Sequence, residues 1–278
     1  MTNPRSPLNL VILVLDSLRY DSWMAASPGN LSRIGDVERR WSYASWTAPS
    51  HHNLLMGLLP HSSPTGVVAS DHYKEDFLRY EQRLGIPDVN FSSMLPGLWL
   101  PSFLHDKLGY RTRAMVSMPV LNPATVVNRG FDDYRLMGRH NDLAGMLDDL
   151  TFENDQPTFY LLNAGETHYP YALPDEDPSR WPRVSGLHGV LKRMKPGADG
   201  EDEVADLDFD ELRERQIEAV RYVDTVAGRL FDTVPDNTWV IVTSDHGELF
   251  GEAGYFGHGP IRHEKVFEVP YVEGRVAR

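Results

Sequence analysis

The chain has 278 residues, 41% of them hydrophobic, and carries a formal charge of −13. That length and apolar share suffice for a substantial core in one large α/β domain, while the acidic balance and the lack of a basic stripe exclude a binder of nucleic-acid phosphates. Cysteine is absent, which excludes disulfides, thiolate metal sites and thiol nucleophiles and leaves oxygen and imidazole as ligands.

The first element predicted is a strand. "LNLVILVL" at 8–15 is a short β-branched and leucine-rich run of the kind buried on both faces of a parallel sheet, and it ends at Asp16. It is too short to span a membrane and lacks the charged start and cleavage site of a signal peptide, so the expected location is cytoplasmic, with no membrane partner. In "SYASWTAPSHHNLLMG" at 42–57 a strand gives way to a helix at Thr47, whose hydroxyl is either a helix cap or a nucleophile. Residues 70–100, with Pro87 and Pro96, either frame a pocket or simply pack.

"SFLHDKLGYRTRAMVS" at 102–117 reads as a helix ending near Gly109 followed by a strand. "TFYLLNAGE" at 158–166 is a second buried strand and "NTWVIVTSDHGE" at 237–248 a third. Between them, Leu212, Ile217, Val220, Val223, Val226 and Leu230 recur at helical spacing and predict a crossover helix. The stretch 172–210, rich in Pro, Gly, Asp and Glu, is expected to be an excursion or lid on the single domain of 1–278. All three strands end in polar residues, at the edge where open α/β sheets bind ligands.

Asp16 ends one strand and Asp245-His246 another; two carboxylates and an imidazole brought together there make a divalent-metal site. Taken singly, an Asp after a strand is more often a helix cap.

"LNLVILVLDSLRYD", "SWTAPSHHNLLMG", "NAGETHYPY" and "VIVTSDHGELFGEAGYFGHG", in that order, resemble the alkaline phosphatase/sulfatase superfamily on its sulfatase-like branch, over about residues 16–270. The resemblance implies a predominantly parallel central sheet flanked by helices, lacking the C-terminal subdomain of many sulfatases. It implies Asp16, Asp245 and His246 as metal ligands, Thr47 as metal-bound nucleophile, and His168 of "THYPY" as the substrate-binding histidine. His258 falls where a sulfatase has Lys and some phosphatase-like relatives have His. His51 stands at the Arg of the sulfatase turn, and with Arg19 it is a candidate to meet phosphoryl charge.

The departures carry information. Threonine, with its β-methyl group, cannot become the formylglycine that sulfatases of this superfamily use, which favours phosphoryl chemistry through a phosphothreonine. Ser17 replaces a second ligand Asp and His246 an Asn, and this softer set favours zinc or manganese, with iron possible and calcium less suited. None of the eleven histidines has Asp four residues before it, so the pair that completes the dizinc site of the phosphatases is missing and one metal is expected, unless Glu166 or His258 builds an irregular second site. The expected function is a metal-dependent hydrolase of phosphate mono- or diesters acting on a small-molecule ester. The alternatives are a phospho-group transferase, a sulfatase-like hydrolase of another ester, and a non-catalytic metal- or ligand-binding member of the fold.

Overall fold

A computed structural model describes residues 7–63, 68–182, 192–193 and 208–276. In chain order its strands are β1 (Asn9–Leu15), β2 (Glu38–Trp41), β3 (Arg111–Val116), β4 (Asp133–Leu136), β5 (Thr158–Ala164), β6 (Lys192–Arg193), β7 (Thr238–Thr243), β8 (Leu249–Phe250), β9 (Tyr255–Gly257) and β10 (Glu268–Arg275). The helices are α1 (Tyr20–Ala26), α2 (Thr47–Leu55), α3 (Tyr73–Leu84), α4 (Phe91–Met94), α5 (Leu100–Leu108), α6 (Leu143–Asp148), α7 (Phe209–Thr233) and α8 (Glu264–Phe267).

The run at 10–15 is apolar throughout because its strand lies at the centre of a seven-stranded sheet of order β2-β10-β7-β1-β5-β3-β4. Pairing of β1 with both β5 and β7 is parallel. Leu10, Ile12 and Val14 face one core, which contains Phe77, Tyr80 and Leu84 of α3 and Leu100 and Leu104 of α5. Val11, Leu13 and Leu15 face the other, filled by Val220, Val223, Ala227 and Leu230 of α7. A strand covered on both faces has no polar side to show, and its period-2 alternation is hidden.

Six of the seven strands run the same way. β10 is antiparallel to both β7 and β2, so β2 points along β7. The carboxyl ends of β1, β2, β3, β5 and β7 therefore share one edge, and each is followed by a segment of the candidate site. A separate small sheet of order β6-β9-β8 packs Phe250 and Phe256 against Tyr169, Tyr171 and the first turns of α7. It carries His258, the residue after β9, over the same edge.

The predicted strands and helices at 102–117, 158–166, 212–230 and 237–248 are present as α5–β3, β5, α7 and β7. Gly109 sits at φ +71, the left-handed helix end that glycine adopts without strain. The segment 70–100 packs on one side and walls a cavity on the other: α3 and α4 bury Phe77, Tyr80, Leu84 and Met94, Arg83 of α3 is ion-paired with Glu273 of β10 at 2.7 Å, and Leu78, Arg79, Gln82 and Pro87 line a cavity away from the sheet edge that gathers the candidate residues. Most of the stretch 172–210 lies outside the described residues.

Candidate active site

The site begins with a turn under strain. Ser17, after Asp16, takes φ +59, a left-handed conformation that non-glycine residues adopt at a cost, often at functional sites. This turn points the Ser17 N–H at Asp245 Oδ1 (3.1 Å) and tucks its hydroxyl against Asp16 Oδ1 (3.2 Å). Asn163, near the end of β5, donates to Asp16 Oδ2 at 2.9 Å. Asp16 is thus fixed by the two segments beside it.

At the end of β7, Asp245 Oδ1 also accepts the His246 N–H (3.0 Å), while Oδ2 is buried and accepts no hydrogen bond. The His246 Nδ1–H donates to the Gly247 carbonyl (2.8 Å), so Nε2 carries the lone pair, and it faces Asp245 Oδ2 at 3.2 Å. The chain can turn this closely only because residue 247 is glycine: a Cβ there would lie 2.1 Å from the Lys265 carbonyl oxygen. Burial, then the His258 ring, push the His246 imidazole down to about 3 and keep it neutral. Burial, then the Asp16 charge, hold the Asp245 carboxyl well above the usual carboxylate range. Asp16 lies below that range, since His168, His246, His51 and Asn163 together outweigh its burial.

Ligand atoms of Asp16, Asp245 and His246 lie within 4.8 Å of one another, the one such group among the described residues. Thr47 Oγ1 is 3.3 Å from His246 Nε2 and 3.5 Å from Asp16 Oδ1. An orphaned carboxylate oxygen opposite an imidazole lone pair, with a second carboxylate and a hydroxyl beside them, is a donor set suited to a divalent cation. The structure also separates the two readings of the Thr47 hydroxyl: the N-cap of α2 is Trp46, with no side-chain cap bond, and the hydroxyl faces the carboxylate and imidazole.

His168 and His258 reach the same place. Their rings are 5.3 Å apart, and His258 is 4.3 Å from the His246 ring. The His168 Nδ1–H donates to the Tyr169 carbonyl (2.7 Å), which leaves Nε2 as the nitrogen available to a ligand. Burial and then His168 lower His258 to about 3. Its Nδ1 lies 3.4 Å from Ser17 Oγ and 3.5 Å from Glu248 Oε2. Glu248, raised to about 7 by burial, accepts the Tyr171 hydroxyl at 2.5 Å.

A cavity of about 810 Å³ opens above Thr47, His168 and His258. A larger one, about 1070 Å³, lies between α3 and the amino ends of β1 and β7 and contains none of the candidate residues.

Two expectations are corrected. Arg19 is 3% exposed, and its guanidinium is held by Asp21 and Glu252 at 2.6 Å each and lies over the Phe250 ring; it ties α1 to the loop after β8 and is not presented to a substrate. His51 is on the buried side of α2, with Nδ1–H on the Thr47 carbonyl (2.9 Å), Nδ1 3.7 Å from Asp245 Oδ2 and Nε2 without a partner; it lies behind the carboxylate and is not on the cavity wall. His52, read as packing or surface, is. Glu166 accepts the Leu143 N–H at 2.8 Å at the start of α6, and it joins no second cluster of ligands among the described residues.

Sequence reading missed Asn163 and the turn Met118–Val120, which forms part of the cavity wall. Both follow from the sheet-edge rule, since Asn163 closes β5 and Met118 follows β3.

The sulfatase family model matches residues 9–272. The chain belongs to the sulfatase family. This sulfatase-family protein has no match among curated proteins by sequence. Its fold is similar to the C-terminal periplasmic domain of EcEptC from Escherichia coli in complex with Zn, at TM-score 0.58 and 12% identity over 98% of this chain and 74% of that one. It is similar to the C-terminal periplasmic domain of phosphoethanolamine transferase EptC from Campylobacter jejuni, at 0.54 and 15% over 97% and 79%. A third similar structure is the phosphonate monoester hydrolase SpPMH from Silicibacter pomeroyi, at 0.52 and 16% over 96% and 68%. At these identities the likeness is one of fold. No helix among the described residues is long and apolar enough to cross a membrane.

Proposed function

We propose that this sulfatase-family protein is a metal-dependent phosphoric ester hydrolase in which Thr47 is the nucleophile. The observation that carries the reading is the position of Thr47 Oγ1, 3.3 Å from His246 Nε2 and 3.5 Å from Asp16 Oδ1, on the first residue of a helix whose leading amides have no side-chain cap. Asp16, Asp245, His246 and Thr47 would hold one divalent ion, zinc or manganese by their mix of oxygen and imidazole donors. When bound, that ion supplies Lewis acidity and favours the deprotonated hydroxyl.

The rest falls to the chain. Thr47 Oγ1 attacks phosphorus in line, and the P–O bond to the leaving alcohol breaks as the Thr47 O–P bond forms. The open end of α2 favours the negative charge on the phosphoryl oxygens. His168, oriented through Nδ1, takes the Thr47 proton at Nε2 and gives it to the leaving oxygen; in the second step it takes a proton from the incoming water and returns it to Thr47 as the phosphothreonine is cleaved. His258, neutral and wedged between His246 and His168, supports the phosphoryl group from the small sheet.

A threonine in the nucleophile position supports phosphoryl over sulfuryl transfer, because it cannot yield an aldehyde hydrate. Transfer to an alcohol in the second step is the near variant, favoured by the likeness to a phosphoethanolamine transferase domain. A cytoplasmic location is part of the same proposal.

The test is turnover of nitrophenyl phosphate mono- and diesters and of nitrophenyl sulfate, with added zinc or manganese, beside Thr47→Ala. Phosphoester turnover lost in Thr47→Ala is expected. Faster sulfate-ester turnover, or a fully active Thr47→Ala protein, overturns the reading.

A further inference from the structure

The cavity above Thr47 has a wall that the chemistry of the phosphoryl group does not explain. Trp46, Ala48 and Pro49 come from the start of α2, and Met118, Pro119 and Val120 from the turn after β3. Among the described residues, none that lines the cavity is Asp, Glu, Lys or Arg. Trp46 is 50% and Val120 48% exposed, so two large apolar side chains stand open to water beside an otherwise buried polar site. Apolar surface held at the rim of a functional cavity marks what the cavity takes up.

Two physical arguments narrow the occupant. Among the described residues, the polar side chains on the cavity beyond the candidates are His52 and Asn53, and Asn53 already donates to the Pro49 carbonyl; a sugar or polyol lodged against the Trp46 and Met118–Val120 wall would lose hydrogen bonds to water at a cost of roughly 1–3 kcal/mol per group, whereas an alkyl or aryl group gains from the same contact. The charge balance is also tight. Asp16 and Asp245, once ionised, offset a divalent ion, and the cation in the sequence that was a candidate for a further negative charge, Arg19, is held by Asp21 and Glu252. A monoanion then leaves one negative charge without a counterion and a dianion two, so the dianion costs more in this buried site.

We propose, on the basis of the phosphoric ester reading above, that the cavity selects monoanionic phosphorus esters whose carried group is an alkyl chain or aryl ring, seated against Trp46 and the Met118–Val120 turn. Such substrates are phosphodiesters or phosphonate monoesters with one apolar substituent.

The experiment is calorimetric titration of the zinc- or manganese-loaded protein with methyl(alkyl)phosphinates, from methyl to hexyl. These are monoanions without an ester bond, so binding is read with no turnover, and the short chains stay monomeric. The expected result is a Kd that falls about two- to fourfold per added methylene, the upper figure for complete burial. In Trp46→Ala and Val120→Lys that gain should shrink, and Val120→Lys should shift preference toward alkylphosphonate dianions. A Kd independent of chain length, tighter binding of the dianions by the unmodified protein, or no binding at any chain length each overturns the proposal. Failure of the hydrolase reading would show in the nitrophenyl assays instead, and would leave the phosphinate series to stand or fall by itself.

Discussion

Asp245 Oδ2 and His246 Nε2 lie 3.2 Å apart, and the imidazole proton is not between them, since it is on Nδ1, donated to Gly247; the burial and Asp16 charge that hold the Asp245 carboxyl above the usual range are the cost of ionising it there. Two lone pairs facing each other in a buried site are unfavourable until a cation or a donor stands between them. Zinc or manganese should therefore stabilise the folded protein, by about 2.7 kcal/mol at a hundredfold excess over Kd. Asp245→Asn places an N–H₂ donor toward Nε2 and removes a carboxylate repelled by Asp16. In chelator this variant should be more stable than the parent, by roughly 1–3 kcal/mol, and should gain nothing from added metal. Urea denaturation with chelator and with excess metal measures both; a variant less stable in chelator contradicts the account.

Thr47 offers a sharper chemical test. Thr47→Ala should fold, retain most metal binding and lose at least about 10³-fold in turnover, as removal of a nucleophile does. Thr47→Ser keeps the hydroxyl and should retain part of the activity. Thr47→Asp removes the hydroxyl and should be inactive; an active variant would show that the hydroxyl is not the nucleophile. Acid quench during turnover followed by peptide mass spectrometry should place phosphate on the peptide containing Thr47.

Arg19 should matter to stability and not to substrate affinity. Its guanidinium is buried while Asp21 and Glu252 are about 30% exposed, so Arg19→Met leaves two partly solvated carboxylates and should cost about 3 kcal/mol, the low end for breaking a buried pair. KM for a nitrophenyl ester, measured below the melting range, should change less than about twofold, because no contact to the cavity is lost. A large rise in KM with unchanged stability would restore Arg19 to the substrate.

Glu166 makes a prediction in pH. Burial raises its carboxyl from an ordinary 4.5 to about 7, only partly countered by the Leu143 N–H, and Asp142 adds to the rise. The folded protein then holds a proton that the unfolded chain has released between about pH 4.5 and 7, so this contribution to stability is present below that window and is lost as pH rises through 7. Glu166→Gln removes the titration. The fall in unfolding free energy from pH 5 to pH 8 should be smaller in the variant, by up to about 3 kcal/mol for a shift of this size; equal falls in both proteins would place the pH dependence elsewhere.

The sheet was legible in the sequence because its central strands are buried on both faces: β1 at 9–15, β5 at 158–164 and β7 at 238–243 are built around continuous apolar stretches, each followed by polar residues. The same rule located Asp16, Asp245 and His246, since a polar residue that ends a buried strand is placed by the backbone alone. Residues 70–100 were not legible. Their aromatic residues face the common core or one another, and whether such a segment packs or walls a pocket depends on what lies opposite it.

Spacing along the chain decided that carboxylate, imidazole and hydroxyl would meet at one sheet edge, and composition decided that no thiol would join them. What tertiary structure alone decided was partnership. Arg19 and His51 looked as available as His168, but Asp21 and Glu252 claimed the first, the buried side of α2 took the second, and of the candidate side chains His168 and His258 were left on the cavity with Thr47. A residue's chemistry belongs to its sequence position, whereas its exposure is set by residues distant in the chain, here 241 positions apart for Ser17 and His258, and burial against those residues fixes which groups keep a face toward a ligand.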